Sequence, residues 1–354
     1  MDWVDYLVRS VVAVVVFAGI LGTCTLLVWF ERRGAAWMQV RYGPNRAGPL
    51  GILQTVADAV KLLTKEVFVP ESADPFVYRV APLLSLLPAF LALTIVPFGP
   101  GFHVGDRYVP MQVADLNIGI LWLLCMSSIA VYGYILAGWS SGSKYPLLGA
   151  VRQSAQVISY ELVMSLAIIP VVMWAGTLST SGIVAAQSRY HWYVVPLIVP
   201  AVAFFVSGIA ETNRPPFDLV EAESELVAGA ITEYGGVRFM MFFLAEYTNI
   251  ITISAITTTL FLGGWNGPIP FGTIAGWSVV PLWGLFWFLL KTGLLLFVFI
   301  WIRVSLPRLR YDQLMAFGWK VMIGVNVAVV LAVSFVIALM ERGALPMFWA
   351  PPGR

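Results

Sequence analysis

The sequence predicts an all-α polytopic membrane protein with eight transmembrane helices. Of its 354 residues, 59% are hydrophobic and 11% are charged, with a mean hydropathy of +0.84, whereas soluble domains carry about 25% charged residues. Runs of about twenty residues with little or no charge are long enough to cross a bilayer as helices. Eight such runs occur, near residues 8–30, 80–100, 116–138, 155–177, 192–211, 239–262, 280–302 and 321–340. They predict a single membrane domain over residues 1–354.

The loops between the predicted spans differ in their content of Lys and Arg. The loops after the first, third, fifth and seventh spans carry most of these residues, whereas the loops on the other side carry only Arg107 and Arg189. Positive charge marks the cytoplasmic loops of membrane proteins. Four loops are therefore expected in the cytoplasm, at residues 31–79, 139–154, 212–238 and 303–320. Both termini are then expected on the outer side, and the first span is expected to be retained because no convincing cleavage site follows it.

The first loop is predicted to contain an amphipathic helix. Residues 34–49, GAAWMQVRYGPNRAGP, are too rich in Gly, Pro and Asn to form a regular element. From Leu50 to Glu66, apolar residues recur at helical spacing, and charged residues such as Asp58 occupy the rest of the circumference. Seventeen residues with internal charges favour a helix lying in the membrane interface over one that spans it. Such a helix can serve only as an anchor, or it can gate the access of a ligand.

The fifth span is followed by an unusually acidic segment, ETNRPPFDLVEAESELVAGAITEY, at residues 211–234. It contains six of the nineteen carboxylates of the chain and is expected to lie at a membrane boundary. Pro215 and Pro216 exclude helix at the preceding residue, whereas a helix can form from Asp218 onward and would place Glu221 and Glu225 on the same face as Asp218. Neighbouring carboxylates raise one another's pKa, so this group can exchange protons near neutral pH. The alternative is a solvated acidic loop.

Three ionisable residues fall inside predicted spans. Glu161 lies in the fourth span, Glu246 in the sixth and Lys291 near the middle of the seventh. Charges near the centre of a membrane cost about 2.5 kcal/mol or more, so these side chains should face the interior of the bundle and be paired or hydrated. We expect the two glutamates about 12 Å deeper than Glu31 and Glu211, as a ladder of proton-exchanging groups. The alternative is a Lys291–Glu pair that only locks two helices together.

Cysteine and histidine are too few for a cluster or haem site. Cys24 and Cys125 lie inside different spans, and His103 and His191 lie in loops on the predicted outer side. This arrangement argues against a disulfide framework and against haem ligation by paired histidines. No basic block suggests nucleic acid as a partner. Proton transfer on the cytoplasmic side is therefore assigned to carboxylates, tyrosines, lysine or water.

The chain resembles the family of the H subunit of proton-translocating NADH:quinone oxidoreductase, respiratory complex I, whose mitochondrial counterpart is NADH dehydrogenase subunit 1. The resemblance covers nearly the whole chain and is carried by five long motifs in the same order. They read ERRGAAWMQVRYGPNRAGPLGILQTVADAVKLLTKE, GWSSGSKYPLLGAVRQSAQVISYE, ETNRPPFDLVEAESELVAGAITEY, FLAEYTNIITISAITTTLFLGGW and WIRVSLPRLRYDQLMAFGWK.

The resemblance implies a multi-pass subunit of the bacterial plasma (inner) membrane that binds no redox cofactor itself. FMN and the iron–sulfur clusters would lie in partner subunits, and quinone would be the substrate at a shared site. The first and third cytoplasmic loops would complete that site with two hydrophilic subunits, one of which carries the terminal iron–sulfur cluster. Small membrane subunits and the lipid bilayer would be the other partners.

The resemblance also implies roles for individual residues. It assigns proton coupling to the acidic segment and to the membrane carboxylates, and to these we add Lys291 from its position: Glu211, Asp218, Glu221, Glu223, Glu225, Glu161, Glu246 and Lys291. Residues near the first and third cytoplasmic-side loops and after the seventh span are assigned to the quinone chamber: Glu31, Arg32, Arg33, Arg41, Asp58, Arg214, Phe217 and Arg303. Ser128 departs from the pattern of some members, which have an acidic residue there, and the sequence leaves open whether the ladder has a gap at this point.

Three other functions are compatible with parts of this pattern. The chain can be the membrane anchor of a hydrogenase-type or formate-linked complex, a free-standing ion transporter, or a passive scaffold for the redox arm. Close agreement in the ERRGAAWMQVRYGPN and ETNRPPFDLVEAESEL motifs favours the quinone enzyme. A transporter would instead be expected to contain unwound spans in repeated halves.

Overall fold

The computed structural model of the chain describes residues 3–104, 107–189, 191–218, 228–267, 273–274, 277–278 and 280–342. Helices dominate it, and the predicted all-α polytopic class is confirmed. Seven helices in the described ranges are long and apolar enough to cross a membrane. An eighth apolar helix, Ile198–Glu211, is shorter than these. The protein is therefore a multi-pass membrane protein.

The first half of the chain contains the elements α1 to α5. Their bounds are α1 Trp3–Met38, α2 Gln54–Thr64, α3 Pro75–Leu93, α4 Gly119–Ser140 and α5 Lys144–Ala175. Between α3 and α4, strand β1, Phe102–Val104, pairs antiparallel with β2, Arg107–Val109. A 3₁₀ turn, Pro49–Gly51, precedes α2.

The second half contains the remaining helices. Their bounds are α6 Thr180–Arg189, α7 Ile198–Glu211, α8 Gly236–Phe261, α9 Val280–Ser305, α10 Tyr311–Ala316 and α11 Ile323–Glu341. A 3₁₀ turn, Gly229–Ile231, precedes α8, and a π-helical turn, Phe317–Met322, joins α10 to α11. Strands β3, Thr273–Ile274, and β4, Trp277–Ser278, pair antiparallel before α9.

Several helices run past the ends of the predicted apolar spans. Helix α1 continues to Met38 although its apolar span ends at Phe30, because Gly34 costs only about 1 kcal/mol in a helix and is followed by good helix formers. Helix α5 begins at Lys144, so most of the loop predicted at 139–154 is helical. Pro146 permits this because proline is tolerated in the first turn of a helix. The loop predicted at 303–320 likewise contains α10 and most of the π-helical turn.

The fifth span is shorter than predicted. The apolar run suggested a helix over 192–211, but α7 begins at Ile198. Pro196 explains the difference, because the residue before a proline is disfavoured in the helical conformation. Fourteen residues rise about 21 Å, which is less than the roughly 30 Å thickness of a hydrocarbon core. The chain before α7 instead packs against the end of α8, where the amide of Val194 donates to the carbonyl of Phe261 at 2.8 Å.

The amphipathic helix predicted over 50–66 is present as α2, somewhat shorter than expected. Thr55 is buried, whereas Val56, Val60 and Leu63 are exposed. Exposed apolar side chains on a helix with a charged opposite face are typical of helices that lie in a membrane interface.

Helices α5 and α8 form the centre of the bundle, and most of their residues in the membrane region are buried. Around Tyr160, α5 contributes a run of fully buried apolar side chains to the main core. Close packing of α5 depends on Gly149, where a Cβ would lie 2.7–2.9 Å from the backbone of Gly229 and Ala230. This packing fixes the end of the bundle at which the ionisable residues meet.

Candidate functional site

Four charged side chains from four parts of the chain meet inside the bundle. Arg214, which follows α7, binds Glu31 of α1, with 3.4 Å between Nη1 and Oε1, and its Nε contacts Glu246 of α8. Arg303 of α9 also contacts Glu31. The hydroxyl of Tyr247 donates to Oε2 of Glu31 at 2.6 Å. We call Glu31, Arg214, Glu246 and Arg303 the arginine cluster.

The arginine cluster is balanced in charge, and three of its four members are buried. Glu31, Arg214 and Glu246 are 8%, 6% and 9% exposed. Two carboxylates face two guanidinium groups, and the guanidinium of Arg214 lies 4.6 Å from the ring centre of Tyr247. Buried charges are tolerated when they are paired in this way. A change in the charge of one member would therefore change the electrostatic energy of the others.

The segment after α7 is held in place by backbone contacts. The side-chain amide of Gln156 donates to the carbonyls of Ala210 and Phe217, both at 2.8 Å. The amide of Phe217 donates to the carbonyl of Arg214 at 2.9 Å, and the amide of Leu309 donates to that of Pro216 at 3.0 Å. These contacts fix the backbone around Arg214 and so orient its side chain.

A second group of carboxylates lies beside α4. The hydroxyl of Ser127 donates to Oε1 of Glu211, and the hydroxyl of Ser128 donates to Oε1 of Glu161. The two serines are consecutive in α4, so Glu211 and Glu161 reach the same turn of that helix. We call Glu211 and Glu161 the carboxylate pair. Oε2 of Glu211 is buried and has no hydrogen-bond partner within the described residues.

The predicted ladder is therefore wrong in its geometry. Glu161 was expected about 12 Å deeper than Glu211, yet both lie at one level, and Arg214 joins Glu246 to Glu31. The reason is that α7 ends inside the bundle. Ser127 is thirteen residues, or about 20 Å, from the end of α4 at Ser140. The acidic segment thus begins beside the middle of the bundle helices, far from the end of α4.

Ser128 does not leave a gap beside the carboxylates. Its hydroxyl contacts Glu161, so a polar group occupies the position where a carboxylate was expected from the resemblance. Sequence reasoning missed Ser127, Gln156 and Tyr247 as members of the site. Serine, glutamine and tyrosine are common in helices, and only the contacts between helices reveal these three.

Lys291 lies apart from the carboxylates with which it was grouped. Its ammonium donates to the carbonyls of Leu262, Gly264 and Asn266 at 2.6, 3.1 and 2.5 Å. It also lies 4.2 Å from the ring centre of Trp192. Lysine here binds the carbonyl groups that follow the end of α8, an arrangement that stabilises helix ends. The Lys291–Glu pair considered as an alternative is replaced by this contact with the backbone.

Side chains near the end of α1 contact α2 and the turn that precedes it. Nη1 of Arg32 lies 2.5 Å from Oδ2 of Asp58, and Arg33 donates to the carbonyl of Leu50 at 2.8 Å. Arg41 is exposed and donates to Gln39 at 2.8 Å. The pair of Arg32 and Asp58 therefore joins α2 directly to α1.

A groove opens between α1, α2 and α8. Its volume is about 610 Å³, which is the size of a pocket for a drug-sized molecule. Arg32, Asp58 and Lys61 are its charged lining residues, and Cys24, Phe243 and Tyr247 are among the others. Tyr247 also touches Glu31, so the groove leads from the surface of the protein to the arginine cluster.

The acidic segment is only partly described. Asp218 is half-buried, and Glu221, Glu223 and Glu225 lie outside the described residues, so the predicted helix from Asp218 onward is not tested. Phe217, predicted to line the chamber, is 5% exposed, and its ring lies 5.6 Å from that of Tyr160. Phe217 therefore packs in the core.

In the described ranges, no three His, Cys, Asp or Glu side chains come together to hold a metal ion. Cys24 is buried, with its thiol 3.8 Å from the hydroxyl of Thr248, and Cys125 is exposed. That the chain binds no redox cofactor itself stays a prediction.

The comparison with known families identifies the family of the chain. The sequence model of the family described as NADH dehydrogenase matches residues 11–334. The chain belongs to this NADH dehydrogenase family. The matched region includes the arginine cluster, the carboxylate pair and the groove, so all three lie in a member of this family.

Two relatives of this family member come from Frankia. A protein of Frankia casuarinae, named as the H subunit of NADH-quinone oxidoreductase, is 54% identical over 325 residues, which cover 91% of this chain and 71% of the relative. A protein of Frankia alni with the same name is 52% identical over 324 residues, with the same coverage of both chains.

Proposed function

We propose that the chain is a membrane subunit of a proton-translocating NADH:quinone oxidoreductase that lines the quinone chamber and couples quinone reduction to proton movement. The names of the two Frankia relatives support the assignment to this complex. The other subunits of the complex would supply FMN and the iron–sulfur clusters, including the terminal cluster that reduces quinone. This chain would supply binding surface, charge and proton-exchanging groups.

The groove between α1, α2 and α8 is our candidate for quinone access. Its volume and mostly apolar lining suit an apolar molecule with a small polar head group. The exposed pair of Arg32 and Asp58 lies on its wall, and its inner wall at Tyr247 touches the arginine cluster. Arg33 lies near the end of α1 and Arg41 lies just after it, where partner subunits would complete the chamber.

Coupling starts from the chemistry of the substrate. Reduction of a quinone to a quinol takes two electrons and two protons. Protons withdrawn from carboxylates near the chamber change the charge of residues 218–225, and this segment is continuous with Arg214 and Glu211. Because Glu31, Arg214 and Glu246 are buried and the arginine cluster is balanced in charge, a new charge nearby alters the pairing of the two glutamates with their arginines.

The observation that carries this proposal is the placement of one short segment between the carboxylate pair and the arginine cluster. Glu211 joins the carboxylate pair, and Arg214, three residues later, joins the arginine cluster. A displacement of this segment during quinone reduction would act on both groups at once. Protons would pass from the acidic segment through Glu211 and Glu161, while Glu246 responds through Arg214. Lys291 would stabilise the end of α8, which is the helix that carries Glu246.

The test uses Glu161→Gln and Glu246→Gln in the assembled complex, with the exposed Glu71→Gln as the matched control. Quinone reduction and proton pumping are measured in the same vesicles. We expect both test variants to lose most of their pumping, whereas Glu71→Gln keeps it. Unchanged pumping in both test variants would refute the coupling role and favour a passive scaffold.

The alternative functions can be distinguished by the partners and the activity of the purified protein. A free-standing transporter works alone, whereas a complex subunit is isolated bound to large soluble and membrane partners. A hydrogenase-type complex would not reduce quinone with NADH. Isolation of an NADH:quinone oxidoreductase that contains this chain would exclude both.

A further inference from the structure

Two consecutive serines of α4 bind two carboxylates that come from different helices. Successive residues of an α-helix point about 100° apart. Ser127 therefore meets Glu211 at the end of α7, while Ser128 meets Glu161 in the middle of α5. One turn of α4 thus sets the distance between the members of the carboxylate pair.

The hydroxyl of Ser128 has two possible acceptors. It contacts Oε1 of Glu161, and it also lies 3.0 Å from the backbone carbonyl of Leu124. A serine hydroxyl carries a single hydrogen and can also accept hydrogen bonds. The hydrogen can therefore point to Glu161 or to Leu124, but not to both with full strength.

The protonation state of Glu161 decides between these two directions. An ionised carboxylate only accepts hydrogen bonds, so the hydrogen of Ser128 points to it. A protonated Glu161 can donate its own hydrogen to Oγ of Ser128, whose hydrogen then turns to the carbonyl of Leu124. The only proton gained is the one on Glu161, and no bond within the serine hydroxyl breaks.

We propose that Ser127 and Ser128 are positioning residues that hold the carboxylate pair together, and that Ser128 reverses its hydrogen bond when Glu161 gains a proton. The role in proton transfer rests on the proposed function, whereas the reversal itself concerns only these side chains. The same residue that replaces an acidic group would thereby keep Glu161 next to Glu211 in both protonation states.

The test reads the infrared bands of Glu161 directly in the purified complex over a range of pH. Isotopically labelled glutamate is used, and the bands of Glu161 are identified as those lost in Glu161→Gln. We expect Ser128→Ala to shift both the carboxylate band and the protonated carboxyl band, the latter towards the frequency of a more weakly hydrogen-bonded group. Ser128→Thr should restore both bands because it keeps the hydroxyl.

Controls separate this inference from the coupling role. Ser188→Ala removes an exposed hydroxyl that donates to a backbone carbonyl of α6, and it should leave the bands of Glu161 unchanged. Ser128→Cys, which is close in size and a weak donor, should give an intermediate shift and serves if the alanine variant does not assemble.

Bands of Glu161 that stay unchanged in Ser128→Ala, or in Ser128→Cys where that variant is used, would overturn the inference. Shifted bands together with unchanged pumping in both Glu161→Gln and Glu246→Gln would instead keep the positioning role and refute the coupling role.

Discussion

Removal of Arg214 should destabilise the protein far more than removal of an exposed arginine. The side chain of Arg214 is 7% exposed, and those of its partners Glu31 and Glu246 are 10% and 11% exposed. Arg214→Met removes the guanidinium that contacts Glu246 and one of the two guanidinium groups that contact Glu31. Loss of one member of a buried ion pair costs about 3–5 kcal/mol, or roughly two to three and a half powers of ten in an equilibrium constant.

The matched comparison is Arg32→Met. Arg32 pairs with Asp58, but their side chains are 46% and 33% exposed. Solvent and salt screen such pairs, which contribute about 0–1 kcal/mol. The same substitution should therefore have little effect on stability here. Purified complex is heated in steps, and the fraction of the chain that remains assembled is measured on native gels.

The double variant Arg214→Met/Glu246→Gln tests the cause of the loss. Glu246→Gln removes the buried negative charge that loses Arg214 in the single variant, so the double variant should be more stable than Arg214→Met alone. The coupling between the two sites should exceed about 0.5 kcal/mol, as expected for residues in contact. Equal stability of Arg214→Met and Arg32→Met, or no recovery in the double variant, would refute this reasoning.

Three further predictions concern stability. Gly149→Ala should lower the free energy of unfolding by about 1–3 kcal/mol because the new Cβ would overlap backbone atoms. Gly22→Ala, where the space is open, should change it little, and thermal melting of the complex compares the two variants. Lys291→Met should lower the melting temperature while quinone reduction is retained, because charged hydrogen bonds contribute about 1.5–3 kcal/mol each. Burial raises the pKa of Tyr234 to about 12, above its ordinary value near 10. The neutral hydroxyl of Tyr234 therefore contributes fully to stability below about pH 10, and this contribution declines as the pH rises towards 12. The melting temperature of Tyr234→Phe should fall less with pH over that range than that of the native complex.

The sequence predicted much of the fold because membrane spans are recognisable from length and polarity alone. It also predicted that Glu161 and Glu246 face the interior, since a charge exposed to lipid is costly. The helix ends were less predictable. The apolar run around Pro196 begins before the helix, which starts only at Ile198. At Lys144 the helix begins where the composition suggested a loop.

The contacts of the site were mostly beyond sequence reasoning. Glu31 and Arg303 are far apart in the chain, and no local pattern indicates that they meet. The depth of Glu211 was misjudged because it depends on where α7 ends inside the bundle. Lys291 was grouped with the carboxylates because of its charge and its place inside a span, whereas it binds backbone carbonyls beyond the end of α8.

The most direct test of the coupling account is the infrared difference spectrum of the assembled complex on quinone reduction. It is recorded for the native protein and for Glu161→Gln, Glu211→Gln and Glu246→Gln. The account predicts that reduction changes at least one carboxyl band in the native complex, and that this change is lost in one or more of the variants. An identical difference spectrum in all four proteins would contradict it, because no proton on these residues would then respond to the substrate.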